Sequence, residues 1–358
     1  MSRVRVAVLK TSPETILEDT RVLMTLADYQ RFLDKDKDIL IKLNLSWTKY
    51  FPSCSSEPWQ VEGAVRTLLE DGYSREKLFP VENKTVVTNP MKGAGNNKWL
   101  PVLEKYGLKF IPLPDVEWMF YPFKSPLLKL NEIFPEGILI PKIYVGKSIL
   151  HLPTVKTHGH STTTGAVKNA FGGLLKEVRH YAHKYIHEVL VDLLYMEREL
   201  HPGLFVVMDG TVCGNGAGPR TMLPEIKNVI LASGDSLAID AVAAKIMGFE
   251  PLDIPYIRMA HERGLGVGDL REVEIAGEDI AEMNFGFETR RSFVIWGDQM
   301  IRKGFLRPFE RLLLHSPLLF WAPLASNVYH DLMWYPTIGR KRIRRFMKTE
   351  WGALWKKY

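Results

Sequence analysis

The chain alternates two patterns of apolar residues, one typical of buried strands and the other of amphipathic helices. Continuous apolar runs in residues 4–10 ("VRVAVLK") and 38–45 ("DILIKLNL") predict two strands, and the spacing between them predicts a helix near 14–29. Helical spacing returns at 57–73. Short runs that end in Gly, Pro, Asn or Asp predict further strands in "KTVVTN", "LKFIPL", "KSILHLP", "GLFVVMDG" and "NVILASGD".

Strands that alternate with helices predict an α/β fold, with a mostly parallel sheet and helices on both faces. The chain has 358 residues, 46% of them hydrophobic, and is long enough for one large body or for two lobes. Residues 112–141 contain six prolines and little periodicity, which suggests a junction between lobes. We therefore expect an α/β body over residues 1–296, in one or two lobes, followed by an extension over 297–358.

Cysteine content and the length of the apolar runs argue against several classes of protein. Cys54 and Cys213 lie far apart and form no CxxC pair, so a disulfide framework, a zinc site and an iron–sulfur cluster are not expected. The first ten residues lack a secretory signal, and no stretch reaches about 18 consecutive apolar residues, the length of a spanning helix. These features predict a cytoplasmic protein.

The positive charge of the chain is concentrated in the extension. Residues 297–358 hold twelve Lys/Arg against four Asp/Glu, a net charge of +8, whereas residues 1–296 have a net charge of −2. A body of this charge is not expected to bind nucleic acid specifically. Within 305–358, the basic cluster 340–345 is interleaved with aromatic residues: Trp334, Tyr335, Trp351 and Trp355. This pattern favours peripheral contact with the inner membrane surface; packing on the body and contact with RNA are the alternatives.

The stretch "HLPTVKTHGHSTTTGAVKNAFGGLL" (151–175) concentrates polar side chains after an apolar run, and we interpret it as a strand, a loop and a helix. Thr163 and Thr164 stand at the predicted helix start, where unpaired backbone amides and the helix dipole favour an anion. The cationic or hydrogen-bonding side chains expected around this start are Lys156, His158, His160, Lys168 and Asn169. We predict a site for a carboxylate or phosphate group; threonines that only cap the helix are the alternative.

Other predicted strand ends add polar residues at the same edge, where sheets of this kind bind ligands. Lys42 and Asn44 close the strand 38–45, and either an anion or a neighbouring loop is their expected partner. Asp209 ends a later apolar run and is a candidate general base, with capping of the following loop as the alternative. In that loop, "GTVCGNGAGPR", glycines such as Gly216 would allow the backbone to approach a ligand closely. Asp235 either caps the next helix or faces the ligand.

Three histidines, His180, His183 and His187, are spaced at i, i+3 and i+7 in a region predicted to be helical. Imidazoles on one helix face can hold a divalent transition metal. The pattern offers no carboxylate partner, so polar surface residues or a single contact with the ligand are the alternatives.

The chain resembles the domain of unknown function 362 family over about residues 38–250, in segments that follow "IKLNLS": "LPTVKTH", "TTTGAVKNAFGG", "VMDGTVCGNGAGP" and "ASGDSLAIDAVAAKIMG". The resemblance implies an α/β body, often fused to a ferredoxin-like iron–sulfur module, without one common activity. The residues on its motif positions are Lys156, His158, Lys168, Asn169, Asp209 and Asp240. Cys213 stands where the family usually has Glu, and no cysteine-rich module is present, which weakens an acid/base role at 213 and a redox role for the protein.

Over a shorter stretch, "KTHGHSTTTGAVKNAFGG" resembles part of the nickel-pincer lactate racemases. Those enzymes are two-lobed and act on hydroxy acids with metal-ligating histidines. This similarity implies an anion site of His and Lys. It also raises a metal-dependent isomerase or racemase as one hypothesis for the protein.

The leading hypothesis is an enzyme that acts on a small or lipid-linked anionic substrate. Lys156 and Lys168 would hold the anion. His158 or His160 would transfer a proton, and Asp209 would orient or assist. A membrane-associated binding or scaffold protein without catalysis would use the same site, and the isomerase hypothesis would require a divalent metal.

Overall fold

The computed structural model describes residues 3–85, 87–176, 182–290, 297, 300–301, 304 and 321–358. The strands are β1 Val4–Lys10, β2 Ile39–Lys42, β3 Leu78–Glu82, β4 Ile111–Pro112, β5 Trp118–Phe120, β6 Leu139–Pro141, β7 Ser148–His151, β8 Thr154–His158, β9 Thr162–Thr163, β10 Leu204–Ala217, β11 Thr221–Ser233 and β12 Val273–Gly277. The helices are α1 Ile16–Leu26, α2 Pro58–Glu70, α3 Pro90–Asn96, α4 Trp99–Lys105, α5 Leu130–Ile133, α6 Gly165–Leu174, α7 Ile186–Leu200, α8 Ser236–Met247, α9 Pro255–Glu262, α10 Trp321–Asn327, the π-helix Val328–Gly339, α11 Arg340–Phe346 and α12 Glu350–Lys357.

The main sheet of the described residues has the strand order β12-β1-β11-β10-β7-β2-β3-β4, with β8 paired to β10 and β9 paired to β8. From β10 to β4, neighbouring strands on this path run parallel. β11 runs antiparallel to both of its neighbours, β1 and β10. The sheet is mostly parallel, so the predicted α/β fold is confirmed.

Successive residues of the central strands face opposite layers of helices, as a strand period of two requires. In β2, Ile39 and Ile41 pack with residues of α1 and α2, whereas Leu40 packs with residues of α6 and α7. Both faces of the sheet are thus covered, which explains why β2 is a continuous apolar run.

Residues 112–141, where a lobe junction is predicted, contain a separate two-stranded antiparallel sheet of β5 and β6. Buried residues of this region, such as Leu130 and Ile140, join the same apolar cluster as α6 and α7.

The strand predicted at 84–89 is wrong by several residues. The third strand is β3, in which Pro80 pairs with Ile41 of β2, and the described residues from 84 onward form a turn closed by Thr85 and Thr88. Proline lacks the backbone N–H that a strand ladder uses, so Pro80 argued against a strand at the position of β3.

The prediction of a loop for the glycine-rich segment is also wrong, because this segment forms the second half of β10. This half pairs with β11 in a long hairpin, from Val212 opposite Ile226 to Ala217 opposite Thr221. A Cβ atom at Gly214 would lie 2.4 Å from Sδ of Met222 and 3.0 Å from Cβ of Lys156. Glycine here lets three strands approach one another instead of forming a flexible loop.

The segment after residue 153 departs from its prediction in two further ways. The expected loop contains β8 and β9, which form an antiparallel pair. The expected single helix over 163–186 is divided, since α6 ends at Leu174 and α7 begins at Ile186. Near the end of α6, a Cβ atom at Gly173 would lie 2.9 Å from Cε of Lys42, so glycine allows the helix to approach β2 closely.

The described part of the extension, 321–358, packs on the body through its aromatic side chains. Ring centroids of Trp334 and Phe51 lie 5.3 Å apart, and those of Trp351 and Trp59 lie 4.9 Å apart. Packing, one of the three alternatives for the extension, is therefore observed for these aromatic residues. Among the residues described, no helix combines the length and the apolar character needed to cross a bilayer.

Candidate functional site

Lys156 lies in β8 with no exposed surface, and neutral oxygen atoms hold its ammonium group. Its Nζ donates to the carbonyl oxygen of Cys54 at 2.5 Å and to Oγ of Ser46 at 3.1 Å. Within the described ranges, no carboxylate forms an ion pair with this Nζ. Burial lowers the pKa of Lys156 to about 8, because water no longer solvates the charged form. A buried ammonium without a counter-ion is costly, so this position favours the arrival of an anion.

Four cationic or imidazole side chains act on His158 through their charges, and one of them is Lys156. His158 follows it by two positions and therefore projects from the same face of β8. The ring centroids of His158 and His160 lie 5.8 Å apart, and those of His160 and His183 lie 5.5 Å apart. Lys168 acts on His158 as the strongest neighbouring charge. We call these five residues the Lys–His cluster.

The Lys–His cluster opens toward solvent at one end. Lys156 and His158 are buried, whereas His160, Lys168 and His183 are partly exposed. The structure thus brings together four of the predicted site residues. It adds His183, for which a metal ligand, a polar surface residue and a single contact with the ligand were the alternatives.

His158 has a hydrogen bond that identifies its protonation state. Its Nδ1 accepts from the backbone N–H of His160 at 3.1 Å, so the proton of the neutral ring is placed on Nε2. Burial lowers the pKa of His158 well below its usual value, and the charges of Lys168 and His160 lower it further. A neutral imidazole with a protonated Nε2 donates to an anion or a carbonyl oxygen, whereas a metal would need a lone pair at that atom.

The start of α6 is closed to an external anion. The carboxylate of Asp240, from α8, accepts from the backbone N–H of Ala166 at 2.6 Å and of Val167 at 3.2 Å. A Cβ atom at Gly165 would lie 2.1 Å from Oδ1 of Asp240, so glycine gives this carboxylate access to the helix start. The predicted use of these two amides by an external ligand is therefore wrong, because they bind the carboxyl group of Asp240.

The two threonines at this helix start face different neighbours. Oγ1 of Thr163 lies 3.1 Å from the hydroxyl of Tyr256. The backbone N–H of Thr164 donates to the carbonyl oxygen of Lys156 at 3.0 Å. Oγ1 of Thr164 is buried and has no hydrogen-bond partner in the described part of the chain. Thr164 therefore offers a spare polar atom beside the residue that carries the buried charge.

Lys42 and Asn169 belong to a buried polar network at the ends of β2, β3 and β7. Nζ of Lys42 lies 2.9 Å from Oε1 of Glu82 and 3.4 Å from Oδ1 of Asn169. Nδ2 of Asn169 lies 3.3 Å from Nδ1 of His151, whose Nε2 lies 2.6 Å from Oε1 of Glu197. Lys42 thus has a carboxylate partner, which Lys156 lacks among the residues that the structure describes. Lys42 and Asn169, which were both predicted to contact the ligand, are therefore hydrogen-bonded to protein groups.

Asn44 lies next to the groups that hold Lys156. Its Nδ2 donates to Oγ1 of Thr154 at 3.2 Å and to the carbonyl oxygen of Cys54 at 3.4 Å. Of the alternatives left open for Asn44, the hydrogen bond to a neighbouring loop is the one observed.

Asp209 lies outside the Lys–His cluster. Its carboxylate accepts from Nε1 of Trp59 at 3.1 Å and from the backbone N–H of Thr211 at 2.7 Å. Burial raises the pKa of Asp209 to about 6. No hydrogen bond joins it to Lys156 or His158 among the described residues. These contacts match the alternative role predicted for Asp209, which was to cap the loop that follows it.

Asp235 and Gly216 also have structural partners. The carboxylate of Asp235 accepts from the backbone N–H of Leu237 at 2.8 Å and of Ala238 at 2.9 Å, so it caps α8. Gly216 has a φ of +100°, and its carbonyl oxygen accepts from Oγ1 of Thr157 at 2.9 Å. Neither residue contacts the Lys–His cluster through these bonds.

The predicted histidine stripe is not on one helix. α7 begins at Ile186, so His183 precedes it, and His180 lies outside the described residues. His183 contacts His160, whereas the ring of His187 stacks on Tyr256 with centroids 6.2 Å apart. His183 and His187 therefore face different neighbours, which argues against one metal site that uses both.

Another group of side chains satisfies the spacing of metal ligands. Among the described residues, ligand atoms of one such group lie within 4.8 Å of one another: His261, Asp269 and Glu272. The carboxylate of Asp269 is already bonded to Arg271, at 2.5 Å from Nη2, which makes it a poor ligand.

Sequence reasoning missed the residues that complete this region. Glu82, His151 and Glu197 are all buried, and Ser46 and Cys54 supply the oxygen atoms around Lys156. The available signal was a charged residue within or just after an apolar run, as in "LFPVEN" and "SILHLP". Such residues are rarely buried without a partner.

Two comparisons relate the chain to known proteins. Residues 39–245 match the sequence model of a family described as a domain of unknown function (DUF362). A curated relative from Synechocystis sp., named a thylakoid-associated protein, is 25% identical over 263 residues, which are 71% of this chain and 76% of the relative. No solved structure matches the chain. The family match covers more than half of the chain, including β8 and α6, and this chain therefore belongs to the domain of unknown function 362 family.

Proposed function

We propose that the protein binds a small or lipid-linked ligand through a carboxylate or phosphate group at the Lys–His cluster, and catalyses proton transfer on it. The observation that carries this proposal is the full burial of Lys156 without a carboxylate partner among the described residues. Its counterpart Lys42, equally buried, is paired with Glu82. The difference between the two buried lysines supports the proposal that Lys156 receives an external anion, although the charges of Glu82 and Glu57 also act on it.

The chemistry of the cluster follows from its protonation states. Lys156 and Lys168 provide positive charge, and Nε2–H of His158 provides a directed donor. An anion bound among them raises the pKa of each group, because opposite charge favours the protonated form. Because Nε2 of His158 already carries a proton, His158 takes up another only when its Nδ1 releases the backbone N–H of His160. His160 lies beside it at the open end of the cluster. Among the described residues, Asp209 forms no hydrogen bond with Lys156 or His158, so we assign the proton transfer to the two histidines.

Binding is tested with inorganic phosphate and with malonate as probes, by isothermal titration calorimetry. Lys156→Met should weaken binding by roughly 30-fold or more, since loss of one partner of a buried charge pair costs at least about 2 kcal/mol. Lys92→Gln, a change at an exposed lysine of α3, is the control. Equal affinity of wild type and Lys156→Met for both probes would contradict the proposal.

Catalysis is tested separately, by following deuterium incorporation from heavy water into a panel of carboxylic and hydroxy acids by NMR. Enzyme-dependent exchange that is lost in His158→Gln, with phosphate binding retained, supports proton transfer. Binding of the probes without exchange on any member of the panel favours the alternative, a non-catalytic binding or scaffold protein.

A metal-dependent isomerase is the third candidate, and the tautomer of His158 argues against it. Nδ1 of His158 accepts a hydrogen bond, whereas a histidine that ligates a metal through Nε2 usually donates from Nδ1. Metal analysis of the purified protein for nickel, zinc and manganese decides this point. A stoichiometric metal that is lost in His158→Gln would replace the anion proposal.

We also propose that the protein is cytoplasmic and associates peripherally with a membrane. The net charge of +8 in residues 297–358 supports attraction to anionic lipid, and the Synechocystis relative bears the name of a thylakoid-associated protein. Co-sedimentation of the full chain with vesicles that contain phosphatidylglycerol tests this association.

A further inference from the structure

The helical segment 324–338, in α10 and the π-helix, has two opposite faces. Its inner face packs against the body through the buried residues Ser326, His330 and Trp334. Its outer face is apolar but exposed, by 58% at Leu324, 70% at Leu332 and 59% at Met333. Intervals of four residues separate the three buried side chains, as expected for one face of a helix.

Exposed apolar side chains are concentrated on this segment. Eleven large hydrophobic residues of the described chain are exposed, and five of them lie within these fifteen positions: Leu324, Val328, Leu332, Met333 and Ile338. Single exposed apolar residues are common in soluble proteins, whereas a contiguous group marks a contact surface. We call these five residues the outer apolar face.

Basic residues follow the outer apolar face directly. Four side chains of α11 are exposed: Arg340, Lys341, Arg344 and Arg345. No salt bridge joins any of them to a carboxylate in the part of the chain that the structure describes. Arg342, between them, turns inward and donates to the carbonyl oxygen of Met222 at 2.5 Å. The body thus uses one basic residue of α11 and leaves four at the surface.

The acidic residue of this region has a side chain that is 30% exposed and is held by two groups of the body. Asp331 accepts from Nε1 of Trp47 at 2.6 Å, and its carboxylate lies 3.8 Å from Nζ of Lys49. Residues 321–345 contain no other Asp or Glu. The charge presented beside the outer apolar face is therefore of one sign.

We propose that the outer apolar face and the four exposed basic residues of α11 form the surface that docks on an anionic bilayer. The inference rests on the proposed membrane association and names its contact site. Apolar side chains enter the headgroup–acyl boundary while the arginines and the lysine remain among anionic headgroups, as in helices that lie in a membrane interface. A bilayer satisfies both halves of this surface, because it offers hydrocarbon and negative charge side by side.

The test uses the full chain and two double substitutions at exposed positions. Leu332→Ser with Met333→Ser removes apolar contact, and Arg344→Gln with Arg345→Gln removes charge. The matched control is Met91→Ser with Lys92→Gln, an exposed apolar and basic pair on α3. Circular dichroism checks that each variant folds. Flotation with vesicles of phosphatidylcholine, with or without phosphatidylglycerol, measures the partition coefficient.

We expect wild type and the control to float with vesicles that contain phosphatidylglycerol. Each test variant should partition roughly tenfold or more weakly, from the lost burial of two apolar side chains or the loss of two charges. Wild-type binding that is unaffected by both double substitutions would overturn the assigned surface but not membrane association. No vesicle binding by wild type would overturn both. Loss of a dimer in the Leu332→Ser, Met333→Ser variant, with no effect on flotation, would assign the face to a second copy and overturn the proposal.

Discussion

The side chain of Asp240 and the backbone amide of Ala166 are joined by a hydrogen bond of 2.6 Å, which ties α8 to the first turn of α6. Asp240 is 1% exposed, and burial raises its pKa to about 7. The amides of Ala166 and Val167 favour the ionised form without cancelling the effect of burial. The position of α6, and with it Lys168, therefore depends on a carboxylate that titrates near neutral pH.

Burial raises the pKa of Asp240 from 3.8 to about 7, so we expect Asp240 to make the free energy of unfolding decline between a pH of about 4 and about 7. Asp240→Asn should remove this part of the decline. In this range the folded state keeps a proton on Asp240 that the unfolded state has released, so stability falls as the pH rises. Each unit between the two pKa values corresponds to about 1.4 kcal/mol. Urea unfolding at a series of pH values measures this slope.

Asp279→Asn is the control for this experiment, since it changes an exposed carboxylate that also accepts from a backbone amide. A wild-type slope that persists in Asp240→Asn would show that Asp240 does not titrate as its burial requires.

Much of the fold could be predicted from local pattern, and the exceptions share one physical cause. β1 and β2 are apolar runs that are buried on both faces, and the pattern identified them. β3 contains Pro80, and the second half of β10 contains glycines, so both have low intrinsic strand propensity. At Gly214, close contact with Met222 and Lys156 requires glycine, and this requirement depends on neighbours far away in sequence.

Two buried lysines should respond in opposite ways to the same substitution. Lys156→Met removes a buried charge that has no carboxylate partner among the described residues, so we expect the free energy of unfolding to rise. Lys42→Met leaves the buried carboxylate of Glu82 unpaired, so we expect a loss of about 3–5 kcal/mol. Urea unfolding near neutral pH measures both values.

The pH dependence provides an independent check on Lys156. Its folded pKa of about 8 lies below the usual value of 10.5, so the unfolded state binds more protons between these values. Wild-type stability should therefore rise with pH across this interval, and Lys156→Met should lack the rise. Equal destabilisation by both methionine substitutions would mean that Lys156 has a counter-ion in the folded protein.

Ligand affinity should depend on the protonation of Lys156. Since its pKa is about 8 in the free protein, the fraction that carries the charge declines above this pH. We expect the affinity for malonate to fall close to tenfold per pH unit above the pKa, because the anion binds the protonated form. Calorimetry from neutral to alkaline pH measures the affinity, and titrations in buffers of different ionisation enthalpy detect proton uptake. An affinity that is constant across this range would exclude Lys156 as the anion contact.

The candidate site was only partly predictable, because the role of each residue depends on its partners in the fold and not on its residue type alone. Lys42 occurs in a predicted strand and Lys156 in a predicted loop, and only the structure shows that Glu82 pairs with the first. The threonine-rich helix start predicted an anion site, but the side chain of Asp240, more than seventy positions away, occupies it. His183 joined the cluster because the predicted helix is interrupted, which a helical spacing rule could not indicate.

The extension should also support the Lys–His cluster, because one loop contacts both. Nε1 of Trp47 donates to Oδ1 of Asp331 at 2.6 Å, while Ser46 and Cys54, on the same loop, hold Nζ of Lys156. Asp331→Ala leaves the buried Trp47 donor without its acceptor, so we expect a loss of stability of about 1–3 kcal/mol. We also expect weaker binding of malonate, by a few fold, since the oxygen atoms around Lys156 lose their support.

Asp331→Asn is the matched variant for this prediction, because its amide oxygen can still accept from Trp47 while the charge is removed. Calorimetry with malonate and urea unfolding should place Asp331→Asn near wild type and Asp331→Ala below it in both properties. A loss of stability in Asp331→Ala with unchanged malonate affinity would show that residues 46–54 hold Lys156 without help from the extension. Equal effects of both variants would instead assign the contribution of Asp331 to its charge and its neighbour Lys49, 3.8 Å away.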